Sequence, residues 1–284
     1  MTLGSEEYKQ AKRKARENYP ALLEPYPEFK ILEAVTRDHD ITAAEAARRI
    51  NDLSRAALAS NDSESFGDHA YHIALCLIEI AKRTAPQSQA KLVESVVCLQ
   101  KYSLVDEQTS DPVRQDGYLV WSELPALGYT AADEWNAVDV LDPSVSADEI
   151  RLYENFIAFL AQLTAAAPAD YDNPKIGEMD FSLWSLRAFK DAFDKTGKAV
   201  AAPEAAVRVA ALWVIYAAER LWANIEHGRV FGRRGTDDET VMTREMWDSW
   251  QRGFQEMRTT CSDERTGALI HDALEQMRRF SAQA

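Results

Sequence analysis

The stretch VRVAALWVIYAAERLW, residues 207–222, decides the fold class of this chain. Its apolar residues face every side of the helix that their spacing predicts, which is typical of a helix buried at the centre of a protein. The stretch IRLYENFIAFLAQL, residues 150–163, has the same character. We therefore expect two central buried helices with a layer of amphipathic helices packed around them.

Helical spacing of apolar residues extends through most of the remaining sequence. Two helix starts carry capping boxes, formed by Thr42 with Glu45 and by Ser146 with Glu149. The alternation typical of β-strands is found nowhere over a useful length. The predicted helices lie near residues 5–18, 27–37, 43–59, 67–83, 87–103, 130–139, 147–166, 181–194, 204–227, 243–258 and 263–281. The sequence thus predicts an all-α, multi-helix bundle with no sheet.

The composition sets limits on domain number and on partners. The chain has 284 residues, 46 % of them hydrophobic, so it can bury a substantial core without disulfides or a metal. No linker rich in glycine, serine or proline divides it, so we expect one domain over residues 1–284, with a peripheral helix within residues 1–20. The formal net charge of −14 disfavours nucleic acid and anionic membranes as partners, because both select a basic surface.

The cysteines and the N-terminal segment indicate the compartment. Cys76 and Cys98 lie in apolar helical runs, where a reduced thiol packs as a small hydrophobic group. Residues 1–17 are charged and lack the apolar centre of a secretory signal, and no apolar run is long enough to span a membrane. These patterns predict a soluble, cytoplasmic protein.

One predicted helix face carries four residues with metal-ligating atoms, His69, His72, Cys76 and Glu79. Zinc sites usually draw their ligands from separate elements, or from positions i and i+4 of one helix. The spacing here instead continues an apolar stripe, which indicates helix contacts. The sequence also has no phosphate-binding glycine-rich loop and no nucleophile elbow. We therefore expect no metal and no other cofactor.

The two central helices carry polar residues, and each needs a partner because an unpaired buried polar group costs about 1–3 kcal/mol. Asn155 lies in the first central helix, and Tyr216 and Glu219 lie in the second. Two interpretations stay open: the polar groups connect the central helices in an internal network, or they line a cavity and orient a ligand. Under the second interpretation Arg187 also lines the cavity, because it follows Trp184 by about one helical turn in the run FSLWSLRAF.

The stretch VWSELPALGYTAADEWN, residues 120–136, contains two tryptophans on either side of a Leu-Pro break. The proline keeps Leu124 out of the helical region, so a short turn that carries Trp121 should stop there. Trp121 and Trp135 are large aromatic residues whose indole N–H needs a partner. They can close one end of a helical bundle or form the wall of a pocket.

The same aromatic segments carry a resemblance to a known family. Its motifs are WSELP at 121–125, EWN at 134–136, NFIAFLAQL at 155–163, LWSLR at 183–187 and ALWVIY at 211–216. Over about residues 65–280 the chain resembles the fungal domain-of-unknown-function family 3632. Gln162 departs from the arginine expected after Phe-Leu-Ala, which speaks against a charge-based role at that position. The resemblance implies an all-helical fold, a fungal source and an association with natural-product biosynthesis.

Two hypotheses of different class follow. In the first, the chain is a cofactor-free enzyme, a cyclase or pericyclase that acts on a hydrophobic small molecule held in a shaped apolar cavity. Asn155, Arg187 and Tyr216 would then face one shared cavity as catalytic residues. The substrate-binding candidates are Trp121, Trp135, Asn136, Phe159, Trp184, Trp213 and Glu219. In the second, the chain is a non-catalytic interaction or small-molecule-binding protein, and these groups hold the helices together.

Overall fold

The computed structural model describes residues 19–37, 41–60, 68–107, 109–173, 175, 177–194, 203–232 and 239–282. Within these residues the chain is mostly helical, with eleven helices, one of them a 3-10 turn. It divides into two compact units, Met1–Ala131 and Ala132–Ala284. The expectation of a single domain stays a prediction, and the helix expected over 5–18 lies outside the described residues. Over the described ranges, the chain has no helix both long and apolar enough to span a membrane.

The first unit is built from short helices and one hairpin. Its elements are α1 (Pro27–Arg37), α2 (Ala43–Ala59), α3 (His69–Arg83), a 3-10 turn (Pro86–Ser88), α4 (Ala90–Leu99), β1 (Arg114–Gln115) and β2 (Tyr118–Leu119). Helix α1 packs against α2, α3 and α4, and α2 packs against α4. The predicted cap of α2 is present, because the Thr42 side chain accepts a hydrogen bond from the Glu45 backbone N–H. Phe29, Leu32 and Ile50 are among the residues that form the core.

The prediction of no sheet is wrong in detail, because two small antiparallel pairs are present. Strand β1 pairs with β2, and Val230–Phe231 (β3) pairs with Thr240–Val241 (β4). The β1–β2 turn consists of Asp116 and Gly117, with φ values of 51° and 86°. Positive φ at both central residues is what a tight hairpin turn requires, and Asp-Gly supplies it at low cost. Strands of two residues are too short to show an alternating pattern.

Helix α5 (Leu127–Trp135) begins in the first unit and ends in the second. The other helices of the second unit are α6 (Ala147–Ala166), α7 (Ser182–Phe193), α8 (Glu204–Glu226), α9 (Arg244–Thr260) and α10 (Glu264–Ser281). As predicted, α6 and α8 are buried along most of their length. Helix α8 packs against α6, α7 and α10, so it is the central element of this unit.

A buried charge cluster connects three of these helices. The Glu154 carboxylate on α6 is fully buried and accepts hydrogen bonds from Arg208 on α8 and Arg265 on α10. Arg208 also donates to Thr266, at 2.9 Å. A buried carboxylate is tolerated because its charge is paired and hydrogen-bonded. The cluster therefore fixes how α6, α8 and α10 align.

Candidate functional site

A cavity of about 250 Å³ lies in the second unit, where the end of α5 meets α6, α7 and α8. We call it the Trp135 cavity. Its lining residues come from the segment after α5 and from one face of each of the other helices. They are Trp135, Asn136, Val138, Asp139, Val140, Tyr153, Arg187, Ala188, Asp191, Ala206 and Val209. The cavity thus combines an aromatic wall with charged and phenolic groups.

The aromatic wall is held in place by ring contacts. The half-buried Trp135 ring has its centroid 5.2 Å from that of Trp184, in an edge-to-face arrangement. It also contacts Tyr153 at 6.1 Å and Trp213 at 6.4 Å. Edge-to-face and tilted pairs at such distances are favourable and restrict ring rotation. The Trp135 ring is therefore a fixed surface on which an apolar ligand can pack.

Tyr153 is the buried polar group of this cavity. Its side chain is only 4 % exposed, and its hydroxyl lies 3.5 Å from the Trp135 carbonyl oxygen, which is the outer limit of a hydrogen bond. Burial raises the pKa of the Tyr153 hydroxyl above its usual value of 10, and the nearby Asp191 carboxylate adds to the rise. The phenol therefore stays protonated at neutral pH. It is a neutral donor whose present hydrogen bond is weak, so a ligand oxygen can compete for its proton.

Arg187 and Asp191 form a charged pair on α7. The Arg187 Nε group donates to the Asp191 carboxylate at 3.1 Å, and the Arg187 side chain is 68 % exposed. The two Nη groups of Arg187 have no hydrogen bond to a described residue. A guanidinium group with such donors can bind a carboxylate, an enolate or a polarised carbonyl. The pair thus places one cation and one base at the mouth of the cavity.

Residues 75–254 match the family described as a protein of unknown function (DUF3632). The chain belongs to DUF3632. The comparisons with curated proteins and with solved structures found no match. The lining residues of the Trp135 cavity, from Trp135 to Val209, all lie within the DUF3632 match.

Three of the predicted site residues meet at this cavity in the DUF3632 segment, namely Trp135, Asn136 and Arg187. Trp184 and Trp213 stand next to Trp135 and support its ring. The Asn136 side-chain amide donates to the Ala132 carbonyl, so it also ends α5. The fully buried Phe159 belongs to the core of α6 and is not a lining residue.

Tyr216 and Glu219 line a different cavity, of about 450 Å³, which we call the Tyr216 cavity. The structure therefore places Arg187 and Tyr216 in the linings of two different cavities. Val209 lines the Trp135 cavity, and Tyr216 lies seven residues further along α8, which is about 10 Å at the rise of an α-helix. A helical wheel projects both residues onto nearly the same face and conceals this separation.

Asn155 lines neither of these two cavities. It follows Tyr153 by two residues, which turns its side chain about 200° around α6. Asn155 therefore faces away from the side of α6 that lines the Trp135 cavity, and its role in ligand binding stays a prediction. Arg220, which follows Glu219 on α8, pairs with Asp180 at 3.2 Å and donates to the Ala167 carbonyl.

Trp121 lies in the first unit, where it is 2 % exposed and lines a small apolar cavity with Leu124 and Pro125. Trp121 and Leu124 have φ values of 64° and 42°. Positive φ at a bulky residue is strained and persists only where tertiary packing holds it. The Leu-Pro break therefore forms a sharp, buried turn in the first unit, and Trp121 is not a lining residue of the Trp135 cavity.

Tyr153, Asp139 and Asp191 line the Trp135 cavity and were not selected from the sequence. The signal for Tyr153 was available, because it is a polar residue inside the apolar stretch 150–163, as Asn155 is. Asp191 could have been found as the residue one turn after Arg187 on the same predicted helix. Asp139 lies beyond the end of α5, although the sequence predicts a helix as far as residue 139.

Of the four residues with metal-ligating atoms on α3, two have polar partners and one is fully buried. His69 contacts Glu28 and Ser54, and Glu79 accepts hydrogen bonds from Lys82 and Arg83. Cys76 is fully buried in the first unit.

Proposed function

We propose that this DUF3632 chain binds a hydrophobic small molecule in the Trp135 cavity and acts on it as a cofactor-free cyclase, most simply a pericyclase. One observation carries the proposal. A rigid aromatic wall, a neutral phenol donor and an arginine whose Nη groups have no partner among the described residues line a single cavity. The setting that we propose is cytoplasmic natural-product biosynthesis in a fungus.

An intramolecular cyclisation requires a cavity of suitable shape and a few fixed hydrogen-bond donors. An intramolecular cyclisation proceeds faster when the substrate is held in its reactive conformer, and the Trp135 and Tyr153 rings offer a fixed surface for that purpose. Charge that develops on a substrate carbonyl in the transition state is stabilised by hydrogen-bond donors that are already positioned for it. One well-placed donor stabilises the transition state by roughly 3 kcal/mol. Tyr153 and Arg187 are the donors in this cavity.

The test is turnover of a linear polyene that carries a 1,3-dicarbonyl group, followed by liquid chromatography and mass spectrometry. Cyclisation adds and removes no atoms, so the product has the mass of the substrate and a different retention time. We expect Tyr153→Phe and Arg187→Gln to lower the turnover roughly tenfold or more while the fold is retained. No product of unchanged mass above the uncatalysed rate, across a set of such polyenes, would count against the cyclase.

The structure offers a matched control for each variant. Arg151 resembles Arg187, because it is 65 % exposed and pairs with Asp148 on its own helix, but it does not line the cavity. Tyr216→Phe removes a hydroxyl from the other cavity. Arg151→Gln and Tyr216→Phe should therefore leave turnover unchanged.

A second candidate, a non-catalytic small-molecule-binding protein, is favoured by the exposure of Arg187. A largely exposed guanidinium acts at high effective dielectric, so it supplies less transition-state stabilisation than a buried one. The fluorescent polyene cis-parinarate separates the two candidates. Binding that is weakened by Arg187→Gln, without turnover of any polyene, would identify a binding protein.

A further inference from the structure

A cavity of about 440 Å³ in the first unit is unrelated to the site above. We call it the Glu28 cavity. Its lining combines two carboxylates with aromatic and apolar side chains, and among the described residues no lysine or arginine lines it. The residues that matter for its chemistry are Tyr26, Glu28, Leu53, Asp68, His69 and His72.

Glu28 is the unusual residue in this lining. It is 6 % exposed, and its Oε1 atom lies 3.3 Å from His69 Nδ1. Its Oε2 atom is buried and has no hydrogen-bond partner among the described residues. Burial alone would raise the pKa of Glu28, but the hydrogen bond and charge of His69 outweigh it and lower the pKa below 4.5. The carboxylate is therefore ionised at neutral pH, with one oxygen unsatisfied.

His69 is held from its other side by Ser54, whose Oγ lies 3.0 Å from His69 Nε2. A serine, a histidine and a glutamate in this order have the distances of a nucleophilic triad. Ser54, however, is 0 % exposed, donates to the Ile50 carbonyl of its own helix and does not line the cavity. The three residues therefore fix the position of the Glu28 carboxylate, and the chemistry that remains open to the cavity is binding.

The rim of the cavity favours a cation. The rings of Tyr26 and His72 lie with their centroids 5.0 Å apart and line the same cavity as the Glu28 carboxylate. Asp68 precedes α3 and is exposed, and its side chain makes no capping hydrogen bond to that helix. Aromatic faces and carboxylates both attract a positive charge.

We propose that the Glu28 cavity binds a small protonated primary amine with an apolar body. The ammonium group would pair with the charge of the Glu28 carboxylate, whose Oε2 atom has no hydrogen-bond partner among the described residues. The apolar body would lie against Leu53 and the Tyr26 and His72 rings. This site is independent of the Trp135 cavity and of the function proposed for it.

The experiment is isothermal titration calorimetry of the full chain with 2-phenylethylammonium. The control ligand is 2-phenylethanol, which keeps the aromatic body and removes the charge. We expect the ammonium ion to bind at least about tenfold more tightly than the alcohol, because only the ion pairs with Glu28.

Variants locate the binding. Glu28→Gln keeps the shape of the side chain and removes its charge, and we expect it to weaken amine binding about tenfold or more. Glu79→Gln is the matched control, because Glu79 is also buried but both of its oxygens are bonded to Lys82 and Arg83. Amine binding should survive Glu79→Gln unchanged.

A second variant decides the matter if Glu28→Gln does not fold. Asp68 is exposed at the rim, so Asp68→Asn should fold normally and weaken amine binding about threefold through the lost charge. Equal affinity for the amine and the alcohol would overturn the proposal. So would no detectable binding of the amine, or full amine affinity in each charge-removing variant that folds.

Discussion

Gly253 on α9 allows this helix to approach α7 closely, and Gly253→Ala tests how tightly the wall of the Trp135 cavity is packed. A Cβ atom at position 253 would lie 2.6 Å from Cδ1 and 2.7 Å from Cγ of Phe193. The Phe193 ring is itself confined, because it stands edge-on to the Phe254 ring at a centroid distance of 4.8 Å. Phe193 ends α7, the helix that carries Arg187 and Asp191.

The expected magnitude combines two opposing effects. The ring must retreat by roughly 0.8 Å to reach an ordinary contact, and overpacking of this kind costs about 1–3 kcal/mol. Replacing glycine by alanine inside a helix stabilises the helix by about 1 kcal/mol, because alanine has the higher helix propensity. We therefore expect the free energy of unfolding of Gly253→Ala to be about 1 kcal/mol lower than that of the parent chain. In Gly267→Ala, on α10, the nearest atom is Cys261 Sγ at 3.9 Å, so that variant should be about 1 kcal/mol more stable.

The assay is urea unfolding of both variants, followed by circular dichroism. The structure predicts that the free energy of unfolding falls in Gly253→Ala and rises in Gly267→Ala. Adding Phe193→Leu should restore part of the stability lost by Gly253→Ala. Equal stabilisation by Gly253→Ala and Gly267→Ala would refute the close approach of α9 to Phe193, and with it the packing that we assign to α7.

Three further predictions concern buried ionisable groups. Glu154→Gln removes the charge that Arg208 and Arg265 share, and urea unfolding should show a loss of about 3 kcal/mol, whereas an unchanged midpoint would contradict a buried cluster. Burial raises the pKa of the Cys76 thiol to about 12, so a disulfide reagent at pH 8 should label the other two cysteines of the folded chain and reach Cys76 only after unfolding. The lowered pKa of Glu28 stabilises the fold above pH 4.5, and this contribution is lost as the pH falls through the folded-state pKa. Between about pH 5 and pH 3 the parent should therefore lose more stability than Glu28→Gln, and equal slopes would contradict the His69 contact.

The helices were largely predictable from the sequence, because spacing and caps are local signals. Helix α6 spans Ala147–Ala166, the bounds predicted from its capping box. The bounds of α5 were wrong: 130–139 was expected, and Leu127–Trp135 is observed. The expected start falls on Thr130, a residue that can cap a helix, but its hydroxyl donates to the Ala126 carbonyl from inside the helix. A threonine can satisfy its hydroxyl in either position, so the sequence alone could not decide between them.

The candidate site was predictable only in part. Trp135, Asn136 and Arg187 were selected because aromatic and polar residues occur close together in the sequence, and they do line one cavity. Tyr216 was assigned to the same cavity from its burial, although it lies at another level of α8. The sequence pattern shows which face of a helix is buried. It does not show which neighbouring helix packs against that face at each position along the helix. That information depends on tertiary packing between α6, α7 and α8.

A crystal structure of the chain with bound cis-parinarate tests whether the Trp135 cavity holds the ligand. We expect polyene density against the Trp135 and Tyr153 rings, with the carboxylate within hydrogen-bond distance of an Arg187 Nη group. Density in the Tyr216 cavity, with the Trp135 cavity empty, would contradict this expectation.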